Sequence, residues 1–444
     1  MRTWVGAVAL TVLGVSSASA TAIERSLRPN DRPSNQQSDV AMATRVALNA
    51  IPRPVLRPER VSSQPVAEPV AAHPGFQAWV RGFRKRAMAQ GITATTLDRA
   101  FRGVSYDPEV IRRDRNQSEF TKTIWQYLDS AVSDKRIRNG KAALRQHRRT
   151  LERIEAHFGV EKEVVTAVWG LESAYGEHRG DMDIVRSLST LAFDGRRGKF
   201  FESQLIAALK ILQSGDVAPR NMTGSWAGAM GHTQFIPTSY QAYAVDFTGD
   251  GKRDIWSDNP TDALASTAAY LARFGWQKGQ PWGVEVKLPS GFNYGLAKRS
   301  IKKSPSEWAR LGVQDINGRP VPNHGSASIL LPAGGKGAAF MIFKNFSVIE
   351  RYNAADAYVI GVGHLSDRIA GGPAIQAEWP RGERALTRRE RKEIQRRLTR
   401  AGFDTQGVDG QIGPRTVAAI RAYQISQGLK PDGHASLSLL KKLR

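Results

Sequence analysis

The chain has 444 residues, 41% of them hydrophobic, which is material for one large domain and one small one. It contains no cysteine, and that excludes disulfides, thiolate nucleophiles, cysteine-held metals and lipid attachment at an N-terminal cysteine. With 64 lysines and arginines against 41 acids, the formal net charge of +23 predicts attraction to an anionic polymer without choosing it.

Arg2 precedes an apolar run from Trp4 to Val15 and a small-residue site, Ala18-Ser19-Ala20, so residues 1–20 read as a signal peptide. Export to the periplasm is therefore expected. No later stretch approaches the roughly 20 apolar residues of a membrane span, so the mature chain is expected to be soluble and not lipid-anchored. Export makes envelope glycans a better partner than nucleic acid, for which no binding motif is present. Residues 21–74 are rich in Pro, Ser, Arg and Ala and read as a disordered basic tether.

From Phe76 the text turns helical, through FQAWVRGFRKRAMAQG, TTLDRAFRGV and a long run from WQYLDSAV to ALRQHRRTLERIEAHFGV. The segment SLSTLAFDGRRGKFFESQLIAALKILQSG reads as a connection followed by an amphipathic helix, and DALASTAAYLARFGW as another helix. Between about Trp282 and Lys344, VEVKLP, SASILLP and AAFMIFK are short β-like runs broken by Gly and Pro. The expected fold is thus mainly α (α+β), a helical body with a small β insertion, followed by a small helical unit.

Within VEKEVVTAVWGLESAYG, helical spacing places Glu172 on the face of Val164, Val165 and Val168. A carboxyl withdrawn from water there has its pKa raised, which suits a general acid near neutral pH. The same spacing also fits a solvated acid at the edge of an amphipathic helix. A second chemistry lies in DFTGDGKRDIWSDNPTD. Asp246, Thr248 and Asp250 stand at positions one, three and five of a calcium loop, Gly251 at six, and the carbonyl of Lys252 at seven. Ser257 stands where the closing acid belongs, and a turn without metal fits the same residues.

WGLESAYG, GSWAGAMGHTQFIPTSYQAYAVDFTGDGKRDIW and RYNAADAY together resemble the membrane-bound lytic transglycosylase B family of peptidoglycan-cleaving enzymes, over roughly Phe76 to Ile375. The resemblance implies a lysozyme-like catalytic domain, here 75–378, that cleaves between N-acetylmuramic acid and N-acetylglucosamine. It implies that Glu172 alone serves as acid and base and that the product carries a 1,6-anhydro ring. Ser225, Gln234 and Asn353 fall on its substrate-contacting positions, and Tyr270 and Tyr358 on its groove aromatics. Arg196 and Arg197 match a basic pair suited to peptide-stem carboxylates, while Phe200 stands where the family carries tyrosine. The calcium loop would close on Asp262, with Asp258 as second choice. Calcium would be structural, and no cofactor is expected for catalysis.

The unit 386–444 opens on the basic helix LTRRERKEIQRRLTRAGF, and VDGQIGPRTVAAIRAYQISQGLKPDG resembles a three-helix peptidoglycan-binding module. Leu398, Phe403, Ile420, Tyr423 and Leu429 read as its core, with turns at Asp409-Gly410 and Asp432-Gly433. Glycan strands are the expected partner, with wall-synthesis or division proteins as further ones. A non-catalytic wall-binding scaffold and a hydrolytic muramidase stand as alternatives.

Overall fold

The computed structural model describes residues 73–115 and 122–444; the expected signal peptide and almost all of the expected tether lie outside them. The described chain is mainly α, with a four-stranded sheet inserted in the helical body and three helices at the C-terminal end.

Local polar chemistry cuts the long helical text after Trp125 into three helices, Ile124–Ala131, Asp134–Gln146 and Arg148–Phe158. Thr123 and Gln126 form a reciprocal capping box, and Ser133 accepts from the Arg136 amide, starting a new helix where periodicity alone continues the old one. The expected connection at Ser187–Asp194 is instead helical. Ile184–Asp194 begins on the Asp183 cap and stops at Gly195, which is left-handed at φ 81°. Its serines and threonines do not break the helix: Ser189 Oγ donates to the Val185 carbonyl at 2.6 Å, while Ile184, Leu188 and Leu191 fill the core.

The helix Lys162–Ser173 is the centre of the body. Every residue from Val164 to Gly170 is buried, so it is enclosed on all sides rather than amphipathic. Asp134–Gln146, Arg148–Phe158, Thr261–Arg273 and Asp356–Ile369 pack around it. Close approach depends on glycine. A Cβ on Gly170 would come within 2.5 Å of the Tyr175 ring, and one on Gly140 within 2.5 Å of its hydroxyl. Tyr175 thus fills the space between two helices, and its hydroxyl donates to the Arg136 carbonyl at 2.8 Å.

The sheet is antiparallel throughout, in the order Gln314–Asp315, Gly283–Lys287, Ala339–Ile342, Ser328–Leu330. The three longer strands fall in the β-like runs, whereas the two-residue edge strand carries no periodicity to read. Its own core surrounds the fully buried Trp308, whose indole donates to the Ala327 carbonyl at 3.0 Å.

The C-terminal helices are Arg388–Arg400, Pro414–Ser426 and Leu437–Leu443. Leu398, Ile420 and Tyr423 lie in their core and Phe403 packs against it, but Leu429 does not belong to the cluster. The helix before it ends at Ser426 and Gly428 turns at φ 61°, leaving Leu429 half-buried while Ile394, Leu439 and Leu440 complete the core. Each Asp-Gly turn is clasped by a buried glutamine. Gln395 donates to Asp409 at 2.9 Å and accepts from the Gly410 amide at 2.7 Å; Gln424 does the same for Asp432 and Gly433 at 2.7 and 2.8 Å. The Asp432 carboxylate also accepts from the Gly335 amide at 2.9 Å, tying this unit to the body.

Gly170→Ala forces a methyl against the Tyr175 ring and is expected to cost about 1–3 kcal/mol of stability. An unchanged denaturant midpoint would contradict this account of the helix contact.

Candidate active site

Glu172 stands in the last turn of the buried helix and is itself half-buried. Immediately after it the chain leaves helical geometry through two consecutive left-handed residues that are not glycine, Ala174 at φ 51° and Tyr175 at φ 64°. Such strain persists only where surrounding contacts enforce it. Here Ser173 Oγ donates to the His232 carbonyl at 2.5 Å and accepts from the Gly176 amide at 3.0 Å, and Tyr175 is locked between the glycines. The carboxylate is thereby aimed rather than left to sample rotamers.

Phenols surround it. Tyr358, 6% exposed, donates its hydroxyl to Glu172 Oε1 at 2.6 Å. The Tyr127 phenol is pushed well above its ordinary pKa, first by burial and then by the Glu172 charge. Tyr352 lies parallel to Tyr358 with ring centres 6.5 Å apart and donates to the Thr233 carbonyl at 2.7 Å. That bond couples the Glu172 wall to the loop carrying Gln234. Neither Tyr352 nor Tyr127 was expected from sequence, although Tyr352 is adjacent to Asn353 in RYNAADAY.

Ser225 Oγ accepts from the Ala229 amide at 3.0 Å, closing a tight turn and keeping its own hydrogen to donate. Gln234 is a third left-handed non-glycine residue, at φ 53°, and is 7% exposed. Its amide nitrogen donates to the carbonyls of Gly231 and Arg179 at 2.9 and 3.0 Å, so the carbonyl oxygen is the group left to meet a ligand. Asn353 is half-buried, ends the helix Lys344–Tyr352, and accepts from the Ala355 amide at 3.1 Å with Oδ1. Its amide hydrogens remain for a polar partner.

Tyr270 and the arginine pair each have partners within the protein. Tyr270 is 8% exposed, donates to the Arg351 carbonyl at 2.6 Å and packs among Phe235, Tyr243, Phe274 and Tyr352. Arg196 and Arg197 both bind the buried Asp114, Arg196 through Nε at 2.7 Å and Arg197 at 2.8 Å. Arg197 also covers the Phe201 ring at 4.9 Å. Gly170 and Gly176 make room for the rings of Tyr175 and His232.

His232 is the polar hub behind the site. Its Nδ1 accepts from the Trp169 indole at 3.1 Å, which places the hydrogen on Nε2, where it donates to the Ser257 carbonyl at 2.7 Å. Burial holds its pKa below the ordinary histidine value, and the Arg179 guanidinium 3.3 Å away works in the same direction. A histidine with a depressed folded pKa gives its full stabilisation above pH 6.5 and loses it as pH falls toward the folded value, because the unfolded chain binds the proton first. The stability advantage of the wild type over His232→Gln is therefore expected to shrink between pH 7 and pH 5 in urea titrations. A pH-independent gap would refute the neutral tautomer.

Carboxylate oxygens of Asp246, Asp250 and Asp262 lie within 4.8 Å of one another. Asp262 is 2% exposed and burial raises its pKa, against which the amides of Phe247, Thr248 and Asp254 bind its two oxygens at 2.9–3.0 Å. A costly buried acid facing two exposed ones, all hard oxygen donors, fits a calcium ion. Thr248 donates to Asp246 at 3.2 Å, and the Lys252 amide binds Asp250 at 2.9 Å. Asp258 instead pairs with Arg179 at 2.8 Å. The positive charge of Arg253, beside the loop, is taken up by Asp216 at 2.7 Å.

Residues 75–367 match the transglycosylase SLT domain family and residues 387–443 a peptidoglycan binding domain family. Over 251 residues the chain is 34% identical to the membrane-bound lytic murein transglycosylase B of Escherichia coli K12, spanning 55% of this chain and 66% of that protein. The structure of SltB3 from Pseudomonas aeruginosa in complex with NAG-anhNAM-pentapeptide is similar with a TM-score of 0.81 and 51% identity, over 83% of this chain and 99% of that one. The Escherichia coli lytic transglycosylase Slt35 in complex with calcium gives 0.56 and 30%, over 67% and 93%. With the transglycosylase match spanning most of the chain, this protein belongs to the SLT family of peptidoglycan lytic transglycosylases.

Proposed function

We propose that the protein is an exported periplasmic enzyme that cleaves the bond between N-acetylmuramic acid and N-acetylglucosamine and closes a 1,6-anhydro ring on the muramic acid. The observation that carries this reading is Glu172, fixed at the end of an enclosed helix with Tyr358 on Oε1. Ordinary retaining glycosidases pair two carboxyls about 5 Å apart. Here the groups set on the acid are phenols, which suits a reaction whose nucleophiles come from the substrate.

Protonated Glu172 gives its proton to the glycosidic oxygen as the bond from muramic acid C1 breaks, and the substrate's own 2-acetamido group stabilises the cation. The resulting carboxylate keeps the Tyr358 hydrogen bond, then takes the proton of the C6 hydroxyl as that oxygen bonds to C1. Bonds and protons balance without water. Gln234 Oε1, the Ser225 hydroxyl and the Asn353 amide would orient hydroxyl and acetamido groups of the sugars. Tyr358 would act on the carboxyl directly and Tyr270 by supporting Tyr352. With Asp114 neutralising one positive charge, the arginine pair retains one for a stem carboxylate. The relative solved with an anhydro-muramoyl peptide, at 51% identity, supports the product assignment. The C-terminal module would hold the enzyme on glycan strands by raising local concentration.

Mass spectrometry of products from purified peptidoglycan checks this. Anhydro-muramoyl ends that disappear with Glu172→Gln are expected. Reducing ends would indicate a hydrolase, and intact sacculi with retained binding a scaffold.

Asp246, Asp250 and Asp262, with the Lys252 carbonyl and Thr248, would hold a structural calcium, as the calcium complex of the 30% identical relative supports. Calcium at 100 times its dissociation constant is expected to add about 2.7 kcal/mol of stability. Asp262→Asn should abolish that gain while leaving the product profile unchanged; the absence of any stabilisation by millimolar calcium would dismiss the site.

A further inference from the structure

A cavity of about 410 Å³ opens beside the helix Asp356–Ile369, against the strand Gly283–Lys287 and the segment Gly372–Ile375. It is distinct from the Glu172 site. Asp367, in its wall, lies nine residues beyond Tyr358, about 13 Å along the axis and half a turn round.

The wall is built for positive charge. A Cβ on Gly363 would stand 2.4 Å from the Trp282 indole, so glycine is what lets that ring lie on the helix. The ring's N–H donates to Asp367 Oδ2 at 2.8 Å. Glu285 faces the same space, its carboxylate held by the amides of Gln376 and Ala377 at 2.9 and 2.7 Å, and Asp315 closes the edge. His364 lines the cavity, is 9% exposed, and neither ring nitrogen has a hydrogen-bond partner among the described residues. Burial holds its pKa at about 4, with the Arg368 charge adding to the effect, so the ring is a neutral acceptor at neutral pH. An imidazole nine-tenths buried, its nitrogens open to the cavity beside three carboxyls, can accept a hydrogen from a bound cation.

These groups do not converge on a metal ion: among the described residues, the set of acids and histidines closing to 4.8 Å is Asp246, Asp250 and Asp262. The cation that fits is therefore larger, with its charge at one end and methylenes to lay on Trp282 and Phe340. We propose that this cavity binds the ammonium-terminated side chain of a peptide, with Asp367 and Glu285 pairing to the charge and His364 accepting one of its hydrogens.

Calorimetric titration of the full chain with Nα-acetyl-lysine amide tests this, using Nα-acetyl-norleucine amide as the uncharged control. Saturable binding of the lysine derivative at pH 7 is expected, at least tenfold tighter than the control and at least tenfold weakened in Asp367→Asn. Burial raises the Asp367 pKa to about 6, so binding should fall about tenfold from pH 7 to pH 5 as that acid protonates. Asp315, with Arg319 beside it, Glu285, His364 and Arg368 are the other titratable or charged groups facing it. Should Asp367→Asn fail to fold by circular dichroism, Glu285→Gln carries the same expectation. Equal binding of both amides, no binding at tens of millimolar, or undiminished binding in the folded variants would overturn the proposal. The probe contains no sugar and the readout is not cleavage, so failure here leaves the glycan reaction untouched.

Discussion

The enclosure of one helix governs the rest of the molecule. Because Lys162–Ser173 is buried on every side from Val164 to Gly170, its neighbours have to approach closely, and that approach is possible only where glycines leave room for the Tyr175 and His232 rings. Such packing permits little slack. The helix consequently ends at one defined point, with two strained residues directly after Ser173, and the single acid in its last turn is delivered to a fixed place. Strain concentrated at Ala174, Tyr175 and Gln234 is the local cost of that placement, maintained by the hydrogen bonds of Ser173 and His232.

A polar lattice behind the cleft joins parts of the chain far apart in sequence. Trp169 and Ser173 reach His232; His232 and Arg179 reach Ser257; Tyr352 reaches Thr233. The acid helix, the Gln234 loop and the end of the calcium-type loop therefore meet at neighbouring residues. The segment between Asp246 and Asp262 runs through Trp256 and Ser257, whose carbonyls hold Arg179, so an ion bound by Asp246, Asp250 and Asp262 would order a wall of the cleft. Charge is used sparingly inside the fold despite its abundance overall. Asp114 takes up two arginines and Asp216 a third.

Acidic and basic character are also segregated. The body gathers half-buried acids beside Trp282, whereas the first helix of the C-terminal module exposes Arg388, Arg389, Arg396 and Arg400. The module is attached to the body through Asp432 and Gly335, the same aspartate that Gln424 clasps, so one carboxylate both shapes the turn and ties it to the body.

Periodicity and composition made the helical body, the β-like runs and the separate C-terminal unit legible, because these depend on patterns within about fifteen residues. Glu172 was legible for the same reason: an acid in register with Val164, Val165 and Val168 is visible in the text itself. Helix boundaries were less so, since the caps at Ser133 and Asp183 override an unbroken pattern, and the serine-rich Ser187–Asp194 is helical because its hydroxyls bond backward along the chain. Long-range pairing was not legible at all. Residue types identified Arg196, Arg197 and Tyr270 as polar or aromatic, but whether they meet solvent, Asp114 or the Arg351 carbonyl is a question of which segments pack together. That Asp262 lies beside Asp246 while Asp258 pairs with Arg179, and that Tyr358 donates to Glu172, is decided by tertiary structure, because contacts across 16 and 186 positions follow from core packing and leave no local pattern behind.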